Sequence, residues 1–311
     1  MAQVGTLAYR VAVLFPGPPV PHDELLNDEY YRALVQGMRD NGYIDGKHFI
    51  LDVHHFGTRD DELDRVIAAL LPLKPDVIVT VGSQCAWAAK KATSTIPIVM
   101  AVVGDPVGQG LVTSLARPGG NLTGNSILAE ATMVKRLELL HETLPKARRI
   151  GVVLNPSNPS YALLWNRLQS AATRRGLLLL RFDATSSTAL DMTLERIARE
   201  RPDAVMMGQD NLFYRGGSKI AESMARQRIP AMYGFRETVA EGGLMSYANS
   251  TKAMFRNAAK FVSRILKGAR PADLPVEQAT TLELVVNLKT AKTLGIRIPQ
   301  TVLLRTDRVI E

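Results

Sequence analysis

The stretch Lys74-Pro75-Asp76-Val77-Ile78-Val79-Thr80-Val81-Gly82-Ser83 decides the fold of this chain. Val77–Val81 is β-branched throughout, with no alternation of polar and apolar residues. Such a run marks a parallel strand covered on both faces. The glycine and serine behind it read as the corner where a strand hands over to a helix. The same phrase returns as Arg201-Pro202-Asp203-Ala204-Val205-Met206-Met207-Gly208-Gln209-Asp210. Each copy follows an apolar run of β type, Val11–Pro16 in one case and Ile150–Pro156 in the other. Each precedes a helical stretch and an Ile-Pro strand, Ile96–Ala101 and Ile229–Gly234. Two copies of one strand–helix–strand order imply two Rossmann-like α/β lobes with parallel sheets. Two lobes that face each other make a cleft, where function is to be sought.

Working outward, Tyr30, Tyr31, Leu34, Val35 and Met38 recur at helical spacing, and Asn41-Gly42 closes that helix. Phe49–Val53 reads as the next strand, Asp64–Leu73 as a helix, Ser83 as the cap of a helix through Ala92, and Ile98–Val103 as a strand. The second lobe repeats the order from Arg149 onward. Leu122–Ile127 and Leu244–Tyr247 read as crossings between the lobes, and Val302–Leu304 as a final strand. Residues 1–8 read as a loose end. The expected division is 1–125 with 248–280, and 126–247 with 281–311. Several crossings rather than one linker would let the lobes move as a hinged pair.

The 311 residues suit two lobes of about 150 each better than one core. Apolar residues make up 46%, ordinary for a globular protein, and no apolar run approaches the ~18–20 residues that span a bilayer. The start lacks a basic stretch followed by an apolar core, so no leader peptide is expected in this chain. Met1-Ala2-Gln3 fits a start codon placed on a mature terminus. The single cysteine, Cys85, rules out an internal disulfide and a cysteine-cluster metal site. At a helix start its thiolate could be favoured, although a small buried apolar residue is the plainer reading. Net charge is +8, but Lys90-Lys91, Arg148-Arg149 and Arg174-Arg175 are scattered over helix ends. That is a solvated surface rather than a nucleic-acid patch.

Ligands of parallel α/β sheets sit beyond the carboxyl ends of the strands. In the first lobe that rule selects Gly17, Ser83, Gln84, Val103 and Asp105. In the second it selects Asn155, Asn158, Tyr161, Asp210, Asn211 and Tyr233, with Tyr247 at a crossing. Ser83 could hold a carboxylate with its hydroxyl and the nearby N–H groups, or only cap its own helix. Asn155-Pro156 and Asn158-Pro159 are equally good turn signals. Asp210 and Asn211 could accept an ammonium or hydroxyl, or Asp210 could cap the next helix. A turn role is the default for Asp105. Tyr233 and Tyr247 offer flat faces with a polar tip, or wedges at a hinge. Trp165, one helical turn from Tyr161, reads as core.

A catalytic set does not assemble. Of the five histidines only His22 falls at a strand end in a cleft-facing loop. His54 and His55 are adjacent, so in a strand they face opposite sides and cannot share a metal. There is no Gly-x-Ser-x-Gly elbow, P-loop or Gly-x-Gly-x-x-Gly. No cofactor or metal is expected.

Longer matches complete the reading. Ala92–Val99, Gly104-Asp105-Pro106-Val107, Gly110–Gly124, Lys135–Leu140, Gly242–Tyr247, Pro271–Gln278 and Asn287–Lys292 fall in order along the chain. Through them, from about Tyr9 to Glu311, the chain resembles the ABC transporter substrate-binding proteins with the type 1 periplasmic-binding fold. The resemblance implies an extracytoplasmic, periplasmic receptor, monomeric, that closes on a small amino-acid-like or aromatic carboxylate solute and passes it to a membrane permease. It places Ser83, Asp105, Asn155, Asp210, Tyr233 and Tyr247 where that family lines its cleft. Ala279 and Ala248 depart from the usual proline and glycine. Two other readings stay open. One is a ligand-sensing receptor partner with the same lobes. The other is a cleft enzyme, for which only Asp105, Asp210 and Glu237 supply acid–base groups.

Overall fold

The computed structural model describes residues 8–17, 21–57, 60–127, 129–158 and 161–311. The loose end expected over residues 1–8 lies outside them except for Ala8, as do Pro18, Pro19 and Val20. The chain divides into two compact units, Met1–Ile127 with Ser250–Thr280 and Leu128–Asn249 with Thr281–Glu311. The first two changes of unit fall two residues later than the sequence suggested.

The first unit begins with β1 (Tyr9–Pro16), α1 (His22–Leu25), α2 (Glu29–Asp40), β2 (Phe49–Phe56) and α3 (Asp60–Leu70). It continues with β3 (Val77–Val81), α4 (Ser83–Ala92), β4 (Ile98–Val102) and β5 (Leu122–Ser126). The second unit opens with α5 (Ala129–Thr143), β6 (Arg149–Leu154), α6 (Tyr161–Thr173), β7 (Leu178–Asp183) and α7 (Ser187–Glu200). There follow β8 (Ala204–Met207), α8 (Asn211–Arg215), α9 (Gly217–Gln227), β9 (Ala231–Tyr233), α10 (Arg236–Ala240) and β10 (Met245–Asn249). The chain returns to the first unit for α11 (Thr251–Leu266) and β11 (Glu277–Gln278). It ends in the second with β12 (Leu282–Asn287), α12 (Leu288–Leu294), α13 (Gln300–Leu303) and β13 (Arg308–Ile310).

In the first unit the sheet order is β11-β5-β4-β3-β1-β2, parallel throughout. Every residue of Val77–Val81 is buried. Removing a valine or isoleucine side chain from water is worth about 1.5–3 kcal/mol, so this central strand anchors the unit. Alternation sends Ala12, Leu14 and Ile78 into one core with α3 and α4, which leaves Val13 and Phe15 for the opposite face. Gly124 explains the Asn-Leu-Thr-Gly motif. Its φ is +130°, and a Cβ there would stand 2.3 Å from the Met100 carbonyl oxygen. Asn125 then ties β5 to α11 by donating to the Met254 carbonyl at 2.9 Å while accepting from Asn257 at 2.7 Å.

The second sheet runs β13-β12-β10-β9-β8-β6-β7. All of its pairings are parallel except β10 with β12, which is antiparallel. Ile150, Val152, Leu154 and Met206 face one core, and Val153, Val205 and Met207 face the other. Leu244–Tyr247 is not a crossing. Met245–Asn249 is a full strand held between β9 and β12, and the chain changes unit only after Asn249. The expected strand at Val302–Leu304 is also corrected. Pro299 opens a helical turn over Gln300–Leu303 with Val302 buried, and the last strand comes at Arg308–Ile310. Trp165 is only partly buried, with the Arg181 guanidinium 5.5 Å from its ring centre.

Candidate functional site

In the second unit the loops after β6 and β8 bring three predicted residues together. Asn155 Nδ2 donates to Asp210 Oδ1 at 3.0 Å, and Asn158 Nδ2 donates to Asp210 Oδ2 at 2.8 Å. The Leu212 N–H also donates to Oδ1 at 3.0 Å, so Asp210 caps α8. Asp210 is 5% exposed, Asn155 1% and Asn158 8%. A carboxylate so far from water persists only where donors surround it, and the two asparagines supply them. The Asn-Pro turns also keep their structural role, because Asn155 Oδ1 accepts from the Ser157 N–H at 3.0 Å. Asn211 is the first residue of α8.

Tyr161, at the start of α6, is buried in the same region, and a Cβ at Gly208 would lie 2.7 Å from its hydroxyl. Burial drives its phenol well above the ordinary value. The nearby Asp210 carboxylate adds to that, against the pull of Arg136. Tyr247 sits within β10, half-buried, and pairs with Leu284. Tyr233 corrects the sequence reading. It is 2% exposed, packed in the core with its ring against Gly243. Its position on β9 turns it inward with Ala231, so its ring presents no open face.

Arg136 of α5 went unrecognised in the sequence. It is 1% exposed and donates to the Tyr247 carbonyl at 2.6 Å and to Gln209 Oε1 at 3.1 Å. It thereby joins the carboxyl end of β8 to β10. Its hydrogen-bond partners, the Met133 sulfur among them, are uncharged, and burial pulls its pKa down to about 10. The signal was present: Met133, Leu137 and Leu140 form the buried stripe of α5, and an arginine interrupts that stripe one turn from Met133.

The first unit presents a different chemistry. Gly82, with φ 94°, is the cap residue of α4, and no side chain accepts from the first turn. Ser83 is therefore the first helical residue rather than the cap. It is 6% exposed, and its hydroxyl oxygen accepts from Gln109 Nε2 at 3.1 Å. Gln109 also donates to the Gly104 carbonyl. It is a second residue that sequence reasoning missed, hidden among the loosely spaced glycines 104, 108 and 110. Gln84 follows on α4, half-buried, and Val103 is buried behind the corner. Asp105 keeps its turn role. It stands at φ 37° and accepts from the Gly108 N–H at 2.9 Å. Gly17 closes β1 by donating to the Phe56 carbonyl at 3.0 Å. Cys85 is an inert core residue, fully buried with its thiol pushed up to about 12. Among the described residues no group of His, Cys, Asp and Glu could hold a metal ion, and no helix is long and apolar enough to cross a membrane.

The model of the family described as ABC transporter substrate binding protein matches residues 11–310. The chain belongs to that family. It is similar to a conserved domain protein from Vibrio cholerae, with 30% identity over 97% of this chain and 99% of the other at a TM-score of 0.87. It is similar to an ABC domain from Streptococcus pneumoniae solved in complex with L-Trp, with 26% identity over 97% of this chain and all (100%) of the other at a TM-score of 0.84. A tyrosine-binding protein of Clostridioides difficile is 26% identical over 89% of this chain and 79% of its own length. The chain is thus an ABC solute-binding protein with two mostly parallel α/β sheets, from a family of solute-binding proteins rather than enzymes.

Proposed function

We propose that the chain captures an aromatic amino acid for an ABC importer, outside the cytoplasmic membrane, and passes it to the permease by closure of its two units about their crossings. One observation carries the reading: Asp210 is an ordered, buried carboxylate at the strand ends, fixed by Asn155, Asn158 and the α8 N–H. A fixed carboxylate is the natural acceptor for an α-ammonium, since charge-assisted hydrogen bonds are about twice as strong as neutral ones. Ser83 supplies the complement. Its oxygen already accepts from Gln109, so its proton is directed elsewhere, beside the uncapped first turn of α4. That pair suits a carboxylate. Relatives that bind tryptophan and tyrosine support an aromatic side chain.

Isothermal calorimetry with the natural amino acids tests this. Tyrosine, tryptophan or phenylalanine should bind saturably, and the N-acetyl and amide derivatives of the same amino acid should not. Absence of binding by all three aromatic amino acids would overturn the reading.

A further inference from the structure

The first unit contains a chamber unrelated to Ser83. A cavity of about 210 Å³ lies over β1 and β2, beneath α1 and α2 and against α11. Its floor includes Val13 and Phe15, whose neighbours in sequence, Ala12 and Leu14, face the core of α3 and α4. The chamber is therefore on the face of the sheet turned away from the helix that Ser83 begins.

Its walls combine two chemistries. Phe15, Tyr31 and Phe255 give aromatic surface, with Phe15 and Phe255 ring centres 6.0 Å apart. Glu24 and Asp28 give two carboxylates, and among the described residues no lysine or arginine lines the space. Asp28 spends one oxygen, Oδ1, on the α2 cap by accepting from the Tyr30 and Tyr31 N–H groups at 2.8 and 2.7 Å. Oδ2 takes no part in that cap. His55, also in the wall, adds no positive charge at neutral pH, because burial lowers its pKa.

These features choose a ligand class. A dry apolar cavity of about 150 Å³ holds benzene, so this one admits a six-membered ring with a short tail. Two carboxylates with no lysine or arginine beside them among the described lining residues disfavour an anion. Aromatic faces beside carboxylates favour an ammonium, through its charge and through the ring quadrupoles. We propose that this chamber binds a small aromatic amine, with its ring on the apolar floor and its ammonium against Glu24 and Asp28. The proposal stands apart from the amino-acid reading, since the amine lacks the carboxylate that Ser83 would recognise.

The test uses the full chain and 2-phenylethylamine, followed by ligand-observed NMR. Saturable binding is expected for the wild type, unchanged by excess tryptophan and unchanged in Asp210→Asn. Val53→Phe, which fills the chamber from β2, should abolish it. The double variant Glu24→Gln with Asp28→Asn should weaken it by about tenfold or more, while asparagine still caps α2. The anion 3-phenylpropionate should not bind. Circular dichroism reports whether Val53→Phe folds; if it does not, the double variant decides. The proposal falls if phenylethylamine shows no saturation, if 3-phenylpropionate binds equally, if tryptophan displaces the amine, or if neither the folded Val53→Phe protein nor the double variant weakens binding.

Discussion

The two copies of the repeated phrase agree in their first half and part company in their last two residues. Both begin with a residue in the left-handed region, Lys74 at φ 50° and Arg201 at φ 43°. Both continue with Pro-Asp, and in both the aspartate clamps the start of the neighbouring strand. Asp76 accepts from the Arg10 N–H at 2.7 Å, and Asp203 accepts from the Arg148 and Arg149 N–H groups at 2.7 and 2.8 Å. Both then bury an entire strand. Only afterwards do they diverge: the first copy ends on a hydroxyl and an uncapped helix start, the second on a buried carboxylate that caps its own helix. The shared half builds a sheet. The unlike ends leave a hydroxyl at the close of one copy and a carboxylate at the close of the other.

The largest expected effect separates those ends. Asp210→Ala removes three hydrogen bonds and strands two buried amides, each unsatisfied group costing about 1–3 kcal/mol. Loss of about 3 kcal/mol or more is expected from urea unfolding. Ser83→Ala should cost less than about 1 kcal/mol, because it removes one neutral bond. Equal losses would break the contrast.

The second test bears on the shared half. Donation from Arg149 and then Arg148 holds the Asp203 carboxyl below its usual range. As pH falls the unfolded chain takes up this proton first, so the stabilisation is complete above about pH 4 and disappears as pH drops through the lowered folded value. Asp203→Asn should therefore lower stability at pH 7 by about 1 kcal/mol, trimmed by solvent screening. The penalty should vanish in strong acid. Thermal melts from pH 7 to pH 2 measure it, and a penalty independent of pH would contradict the assignment. The smallest effect is Arg201→Gly, which relieves a left-handed residue and should add at most about 1 kcal/mol, read as a higher melting temperature.

Much of this was legible because its causes are local. β-branched runs, turn residues and the period of two mark most of the strands, and the strand-end rule selects Asn155, Asn158 and Asp210, which meet in one hydrogen-bonded cluster. Tyr233 misled because a sheet covered on both faces gives no sequence cue to distinguish the inward side of its last residue from the open end. Gln109 and Arg136 were missed because their partners lie 26 and 111 residues away, and neither carries a motif. Arg136 left one trace, a cation on an apolar helical stripe. The crossing at Tyr247 and the last strand were misread where a glycine pair and a proline each served two continuations equally well.

The threading of the chain bears on its synthesis. Helix α11 packs on α2, β4 and β5, yet it is translated after the larger segment of the other unit, residues 128–249. A nascent chain emerging from the ribosome must carry β4 and β5 without the helix that covers them until residue 266 is out, while the second sheet waits for its last strands. Domains that fold in order of emergence escape that exposure, and this one cannot. Chaperone dependence during production should accordingly be relieved by a rearranged chain that moves residues 250–280 directly behind residue 127 and joins residue 249 to residue 281.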